Sequence, residues 1–325
     1  MAREPVAPNA HVAVVILTWN GREDTLECLE SLTATRWERL TTIVVDNGST
    51  DGTPGAVRQR FPGAVVIELG ENMGFAAGNN VGIDEAIDRG ADYLFVLNND
   101  TLVDESAISE LVAEAERSPE AGALSPLMYY DEPDNLVWYA GAMFDPRRGY
   151  NRRHIGYCER DEGQFSSVRE ITHACGAAML IPRAVVERIG PFDPQLFFQV
   201  EDVEWSLRAQ AAGYRILFVP GARVWHKVAS DTGGEYAPAT AYYWTRNTLE
   251  VCRRYAPMSG LAARRREATT LVAGIVHARR AERPLESVRG TLEGWRDFHR
   301  RQMGRREDGP GDGGGPPARP ARALQ

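Results

Sequence analysis

Two hydrophobic periods alternate along the first hundred residues. Residues 12–18, "VAVVILT", form a continuous β-branched run typical of a strand covered on both faces. The next segment, "WNGREDTLECLESL", spaces Leu26, Leu29 and Leu32 as one face of a helix. The alternation then repeats, with strand patterns in "TTIVVD", "AVVIEL" and "YLFVL" and a helix pattern in "GFAAGNNVGIDEAIDRG". Such a succession predicts an α/β fold with a parallel sheet and crossover helices.

The pattern becomes less regular after residue 120. "LVWYAGAMFDPRRGY" predicts a hairpin, and "HACGAAMLIPRAVVERIG" predicts a loop, a short strand and a helix. "RILFVP" predicts a strand and "GARVWHK" a turn after it. Residues 239–300 are predicted to be mostly helical, and residues 304–325, rich in Gly, Pro and Arg, to be a disordered tail.

Polar residues collect where the predicted strands end. Three strands run into Thr18-Trp19-Asn20, Asp46-Asn47-Gly48-Ser49 and Asn98-Asn99-Asp100. In parallel sheets, ligands bind at the carboxyl ends of the strands. One such loop would be ordinary turn chemistry, but three of them on one edge predict a binding site.

Composition limits the class of protein. The chain has 325 residues, of which 43% are hydrophobic, enough for one large globular domain or two small ones. No apolar run reaches the roughly 18 residues of a membrane helix, and the N-terminus lacks a signal-peptide pattern, so we expect a cytoplasmic protein. Four scattered cysteines without a C-x-x-C pair indicate reduced thiols.

The net charge of −8 is unevenly distributed. Residues 253–306 contain fourteen arginines and five acidic residues, whereas residues 1–252 carry a net charge of −16. An acidic body argues against nucleic acid as a partner. The basic segment has two interpretations: a solvated helical face, or peripheral contact with an anionic membrane surface or a phosphate-bearing acceptor.

Three further features suit one reaction. Asp100 follows a strand, His226 lies in "VWHK", and the acidic group Glu201-Asp202-Val203-Glu204 opens a helix pattern. Each has an ordinary structural explanation, such as capping or the helix dipole. Together they suit displacement of a nucleoside diphosphate from a sugar. Asp100 and His226 would hold a divalent cation against the leaving diphosphate, and Asp202 would take the proton of the incoming hydroxyl.

Seven ordered segments resemble the motifs of family 2 glycosyltransferases, in particular the bacterial rhamnosyltransferase-like branch. They are "VVILTWNG", "VVDNGSTDGT", "ENMGFAAGNN", "VLNND", "HACGAAML", "FDPQLFFQVEDVEWSLR" and "VWHK", and the resemblance covers residues 10–256. It implies the Rossmann-like GT-A fold, a mixed, mostly parallel sheet with helices on both faces, followed by a helical C-terminal region.

The resemblance also implies a division of the chain. Residues 1–256 would form the GT-A domain, with a nucleotide-binding half at about 10–120 and an acceptor half at about 121–256. Residues 257–303 would form a basic helical region ahead of the tail.

On the donor side, the resemblance implies a set of binding residues: Thr18, Asn20, Asp46, Gly74, Asn79, Asn99 and Asp100. Asp46 is expected to meet the base, and Asp51 to hold its loop. Asp100 and His226 are the expected ligands of Mg²⁺ or Mn²⁺. Asn98 stands where the family has the first acid of its Asp-x-Asp motif, so we expect modest metal affinity until the diphosphate adds its own oxygens.

On the acceptor side, "VEDVEW" resembles the family motif whose aspartate is the general base. This implies Asp202 as the base, with Glu201 the second choice, and Cys175 and Gly176 beside the acceptor. One base without a second carboxylate nucleophile predicts a single displacement with inversion. Arg246-Asn247 in "YYWTRN" also resembles the family, in a structural or phosphate-facing role.

The expected donor is a dTDP- or UDP-linked sugar, with rhamnose the first choice. The expected acceptor is a saccharide, a lipid-linked glycan or a small molecule, and the oligomeric state is open. A dinucleotide-binding dehydrogenase is disfavoured because "TWNGRED" replaces G-x-G-x-x-G after the first strand. A catalytically silent sugar-binding module would be expected to have lost Asp202 or Asp100, and both are present.

Overall fold

The structure is a computed structural model that describes residues 9–149, 153–228 and 237–306, so the predicted disordered tail lies outside it from residue 307 onward. The strands are β1 (Val12–Thr18), β2 (Leu40–Asp46), β3 (Val65–Glu68), β4 (Tyr93–Asn98), β5 (Thr101–Val103), β6 (Ala121–Tyr130), β7 (Leu136–Tyr139), β8 (Ala142–Met143), β9 (Arg153–His154), β10 (Glu159–Arg160), β11 (Arg169–Ile171), β12 (Ala178–Pro182) and β13 (Arg215–His226). The helices are α1 (Arg22–Thr33), α2 (Thr53–Arg60), α3 (Gly74–Asp88), α4 (Ala107–Arg117), α5 (Arg183–Ile189), α6 (Glu201–Ala211), α7 (Pro238–Tyr255), α8 (Gly260–Ala278) and α9 (Pro284–Arg300), with a 3₁₀ turn at Pro194–Leu196.

The N-terminal half is a parallel sheet, as its alternating pattern predicts. β1 lies between β2 and β4 and runs parallel to both, and β3 adds to the far side of β2. Residues Val12 to Ile16 of β1 are fully buried, which explains the continuous apolar run. Each such valine or isoleucine contributes about 1.5–3 kcal/mol relative to an exposed position.

The second half makes the sheet mixed. β12 pairs antiparallel with β4, with Ala178 opposite Leu97, and it continues the sheet towards β6. β13 runs parallel to β6 and ends in antiparallel pairing with β5. The order across the main sheet is β10-β7-β6-β12-β4-β1-β2-β3 within the described residues.

Two local predictions are wrong. The segment "GARVWHK" is not a turn, because β13 stays extended to His226 and a register shift between Val219 and Arg223 absorbs the Pro-Gly pair. The predicted hairpin in "LVWYAGAMFDPRRGY" is not formed either. β7 pairs with β6 and β10, whereas β8 pairs with β9.

The C-terminal helices, which the sequence predicts, pack directly on one another. Gly290 and Gly294 of α9 lie against the backbone of α7, where a Cβ at Gly294 would collide with the carbonyl oxygen of Tyr242. The Tyr242 hydroxyl donates to Asp297 at 3.0 Å across the same contact. Among the described residues, no helix is both long and apolar enough to cross a bilayer.

The contact between α7 and α9 predicts a stability difference between two glycine variants. Gly294→Ala should destabilise the protein by about 1–3 kcal/mol, because its Cβ meets backbone that cannot turn away. Gly55→Ala in α2 is the control, since its Cβ meets open space and should stabilise by about 0.5–1 kcal/mol through helix propensity. The midpoints of denaturant unfolding of the two variants measure both changes in stability. Equal midpoints for Gly294→Ala and Gly55→Ala would contradict the close packing of α9 on α7.

Candidate active site

The strand register brings the predicted polar ends to one edge of the sheet. Thr18 of β1 is opposite Asp46 of β2, and Leu17 is opposite Asn98 of β4. The carboxyl ends of these three strands are therefore level, and the loops that follow them form a common rim.

Asp46 has one carboxylate oxygen without a partner. Its Oδ2 accepts a hydrogen bond from the amide of Ser49 at 3.0 Å, whereas its Oδ1 is buried and has no hydrogen bond among the described residues. A buried acceptor left in this state costs about 1–3 kcal/mol. The atom is therefore well suited to accept from a ligand N–H, which fits the expected contact with a nucleobase.

The loops after β1 and β2 are bound to each other. Asn20, whose φ is 54°, donates its amide to Ser49 Oγ at 2.9 Å and accepts from the amide of Thr50 at 2.8 Å. Asp51 accepts from the amide of Arg22 at 3.1 Å. These bonds connect the two loops that form the rim of the site, and the Asp51 contact is consistent with its expected role in holding the loop.

Thr18 contributes to this edge through its hydroxyl. Thr18 Oγ1 lies 2.8 Å from Thr25 Oγ1, which in turn accepts from Asn99 Nδ2 at 3.3 Å and donates to the carbonyl of Gly21 at 2.6 Å. These contacts tie the ends of β1 and β4 to the start of α1.

Gly74 and Asn79 both lie in α3. Gly74 has φ 87°, and a Cβ there would lie 2.6 Å from the carbonyl oxygen of Phe197, so the close approach it permits is that of the segment before α6. Asn79 donates to the carbonyl of Phe75 at 2.9 Å, while its buried Oδ1 has no hydrogen bond among the described residues.

Two asparagines that the sequence reasoning missed position the start of α3. Asn47 Nδ2 donates to Asn72 Oδ1 at 3.1 Å, and Asn47 Oδ1 accepts from the amide of Met73 at 2.8 Å. Asn72 also accepts from the amide of Gly74 at 2.9 Å. The available signal was an asparagine two residues before a glycine that opens a helix, the spacing of an Asx turn.

Asp100 and His226 meet where β4 and β13 end. His226 Nε2 lies 3.1 Å from Asp100 Oδ1, and both side chains are buried. The amide of Lys227 donates to the carbonyl of Asp100 at 3.0 Å, and the Trp138 ring lies edge-on to the imidazole with centroids 4.5 Å apart. Neither ring nitrogen of His226 makes a hydrogen bond within the described chain.

This pair fits a shared cation site. The described residues contain no cluster of three or more acidic, histidine or cysteine side chains that could hold a metal. Two ligands that meet a cation at right angles and at about 2.1 Å lie about 3 Å apart, close to the separation of these two side chains. The arrangement therefore suits a divalent cation whose other ligands are oxygens of a bound substrate.

Two ionisable groups flank the pair. Burial by itself lowers the pKa of Lys227, but its hydrogen bonds to Asp24, at 2.6 Å, and to Glu27 outweigh burial and raise it. Burial raises the pKa of the Cys28 thiol to about 12, with its sulfur 3.7 Å from the carbonyl oxygen of Asn98. Lys227 therefore stays positive and Cys28 stays a neutral thiol.

Asp202 lies in the first turn of α6 and is buried. Its Oδ2 accepts from the amide of Gly176 at 3.0 Å, and its Oδ1 accepts from the amide of Val203 at 2.7 Å. The next residue after Gly176, Ala177, accepts from the amide of Asn98 at 2.9 Å. The Asp202 carboxylate is thus connected to the end of β4 through two adjacent residues of backbone.

The neighbours of Asp202 have different surroundings. Cys175 is buried, and its backbone amide donates to Ser125 Oγ at 3.4 Å. Glu201 is buried beside Asp202 at the start of α6. Glu204 accepts from Arg208 at 2.9 Å and from the Tyr255 hydroxyl at 2.7 Å, so it joins α6 to α7.

The segment ahead of α6 has an unusual backbone. Phe197, Gln199 and Val200 have φ of 60°, 68° and 74°. The side-chain amide of Asn247 donates to the carbonyls of Leu196, Phe198 and Gln199 at 2.7, 2.9 and 2.7 Å.

Arg246 supports the same segment. It is buried, donates to the carbonyl of Gly304 at 2.7 Å and lies 5.0 Å from the ring centroid of Tyr243. Of the two roles expected for "RN", these contacts favour the structural one. The partners lie about fifty residues apart in the chain, so the sequence carried no signal for them.

Comparison with known proteins gives a consistent result. The sequence model described as "Glycosyl transferase family 2" matches residues 13–190, more than half of the chain. An N-acetylglucosaminyl-diphospho-decaprenol L-rhamnosyltransferase of Mycobacterium tuberculosis is 31% identical over 247 residues, which cover 69% of this chain and 78% of that protein.

Solved structures agree with this on the fold. A mannosyltransferase of Pyrobaculum calidifontis in complex with GDP-Man and Mn²⁺ matches with a TM-score of 0.57 at 18% identity, over 92% of this chain and 85% of that one. GalNAc-T7 with UDP, GalNAc and Mn²⁺ matches with a TM-score of 0.58 at 17% identity, over 75% of this chain. This chain spans 48% of the length of that second structure.

The predicted fold class and enzyme class are confirmed, and the dehydrogenase alternative is excluded. The chain belongs to the family 2 glycosyltransferases, with the GT-A fold and a rhamnosyltransferase as a curated relative.

Proposed function

We propose that this protein is an inverting glycosyltransferase that moves rhamnose from a dTDP- or UDP-linked donor to a hydroxyl of a lipid-linked saccharide. The sugar and the acceptor follow the name of the mycobacterial relative, which acts on a diphospho-decaprenol-linked N-acetylglucosamine. The observation that carries the proposal is the pair of adjacent residues, Gly176 and Ala177, which join the Asp202 carboxylate to the end of β4 beside Asp100.

On the donor side, the base would lie against Asp46, whose buried Oδ1 has no partner among the described residues and would accept an imide N–H. Uracil and thymine both offer such a donor. Asp100 and His226 would hold Mg²⁺ or Mn²⁺, and the cation would neutralise negative charge on the departing diphosphate. The two related structures that contain Mn²⁺ with a nucleotide or nucleotide sugar support this assignment.

On the acceptor side, Asp202 would take the proton as the acceptor oxygen attacks the anomeric carbon. The amides of Gly176 and Val203 fix its two oxygens, so the carboxylate is oriented before the acceptor arrives. The positive end of α6 offsets its charge. Attack from the side opposite the diphosphate inverts the anomeric carbon in one step.

Asp202→Asn is the first test of the base. The amide keeps the shape of the side chain but cannot accept a proton, so kcat should fall by about 10²–10⁴-fold while donor affinity is retained. Radiolabelled sugar transfer and calorimetric titration with the nucleoside diphosphate measure the two quantities. Glu204→Gln is the matched control. It loosens the contact between α6 and α7, so it should lower the melting temperature and leave kcat close to the wild-type value. A fully active Asp202→Asn enzyme would remove this assignment.

The donor and cation are tested together by thermal shift. dTDP-, UDP- and GDP-linked sugars are each added with and without Mn²⁺ or Mg²⁺, and a donor at 100 times its Kd should stabilise by about 2.7 kcal/mol. Asp100→Asn and His226→Ala should lose the metal-dependent part of the stabilisation. Asp46→Asn should lose the nucleotide response with or without metal, because it removes a contact to the base. If the Asp100→Asn response still depends on metal as in wild type, the cation pair is misassigned.

We infer that Asn247 is a positioning residue for the base. Three left-handed non-glycine residues disfavour the segment before α6 by about 1–2 kcal/mol each, and the Asn247 bonds hold it in place. Asn247→Ala should lower kcat about ten- to a hundredfold and leave the donor KM unchanged. Adding Gln199→Gly should recover part of kcat, because glycine accepts φ of 68° without strain. Parallel loss of kcat and donor affinity, without recovery, would indicate general destabilisation instead.

A further inference from the structure

The buried side of helix α8 consists of polar and small residues rather than large apolar ones. Its buried positions recur every four residues and are Arg266, Thr270, Gly274 and Ala278. A surface helix of a globular domain normally does the opposite and turns its apolar stripe inward.

The reason for the polar inner side lies at the end of α7. Arg266 Nη1 donates to the carbonyls of Cys252 and Ala256 at 3.1 and 2.6 Å, and to that of Pro146 at 3.2 Å. Carbonyls at the end of a helix have few partners within the helix, so a buried arginine is a suitable donor to them. The Cys252 carbonyl also accepts from the amide of Ala256 at 3.0 Å, and Arg266 adds a second donor to it. On the inner side of α8, Arg266 therefore caps the C-terminal end of α7.

Three of the five large apolar residues of α8 are exposed on its outer side. Leu261, Val272 and Val276 are 73%, 61% and 49% exposed. With 100° per residue, these positions lie on the side of the helix opposite the buried stripe, together with exposed Arg265 and Arg279. We define the outer face of α8 as these five residues. Single exposed apolar residues need no explanation, but three on one stripe do.

The exposed arginines at the two ends of α8 lack acidic partners in the part of the chain that the structure describes. Arg264, Arg265, Arg279 and Arg280 are exposed, and none of them pairs with an acidic side chain among the described residues.

On the body, several exposed arginines do have acidic partners, although others, such as Arg147 and Arg223, form no ion pair among the described residues. Arg58 lies 2.6 Å from Glu68, Arg89 lies 2.6 Å from Glu85, and Arg183 lies 2.7 Å from Glu187. The excess positive charge of residues 253–306 is thus uncompensated on α8.

We propose that the outer face of α8 docks on an anionic lipid bilayer, with the helix lying in the plane of the interface. Apolar side chains on one helical stripe, flanked by unpaired arginines, match the requirements of an interfacial helix. Two copies of this face would place arginines against arginines, which opposes self-association through it. The proposal does not depend on the proposed reaction, although docking would bring the enzyme to a lipid-linked acceptor.

The test is flotation of the full chain with vesicles, in the absence of donor and acceptor. The protein should float with phosphatidylcholine vesicles containing phosphatidylglycerol, bind pure phosphatidylcholine much more weakly, and dissociate as salt is raised. Leu261→Gln, Val272→Gln and Val276→Gln combined should lower vesicle affinity at least about tenfold. Arg264→Gln, Arg265→Gln and Arg279→Gln combined should lower it about fivefold per arginine.

The matched control is Arg58→Gln, Arg89→Gln and Arg183→Gln combined, which removes the same charge from the body. It should bind vesicles like the wild type, with a slightly lower melting temperature because it breaks three exposed ion pairs. The two α8 variants should keep the wild-type melting temperature. Absence of flotation by the wild type, or equal loss in the control, would overturn the proposal. So would a wild-type dimer that the glutamine variant of the apolar residues converts to a monomer, because the face would then join two copies.

Discussion

The site depends on the position of one strand, β4, which pairs with β1 in parallel and with β12 in antiparallel orientation. Both pairings stop near Asn98, where the amide of Asn98 still donates to Ala177. Backbone pairing on both sides leaves the strand end little freedom. The residues that follow it are therefore presented at a fixed place: Asp100 directly, and Asp202 through the adjacent amide of Gly176.

The proposed base needs a second constraint, because the segment ahead of α6 is unfavourable by itself. Residues with left-handed backbone and a Cβ persist only where their surroundings hold them. Here the surroundings are Asn247 and Arg246 of α7, and Arg246 also donates to the carbonyl of Gly304 beyond α9. The C-terminal helices consequently contribute to the geometry of the site, although none of their residues resembles a catalytic group.

The sequence predicted those features of the fold that depend on residues close together in the chain. Alternating periods predicted the parallel sheet with its crossover helices, and the rule for parallel sheets predicted the rim at Thr18, Asp46 and Asn98. The sequence prediction failed where pairing between strands far apart in the chain overrides local composition. β13 stays extended alongside β6 through a Pro-Gly pair that, taken locally, predicts a turn. The sequence also could not assign the role of Asn247, because that role is defined by carbonyls almost fifty residues earlier in the chain.

The amide at position 98 has a consequence for how the donor and the cation bind. Asp100 offers one negative charge, and a coordinating histidine is neutral. A divalent cation held by these two side chains would keep a net charge of about +1, whereas two carboxylates would cancel it. The remaining charge would attract the diphosphate, whose oxygens would supply further ligands beside the two side chains. Each ligand therefore raises the affinity of the other by the same factor, because such coupling is reciprocal.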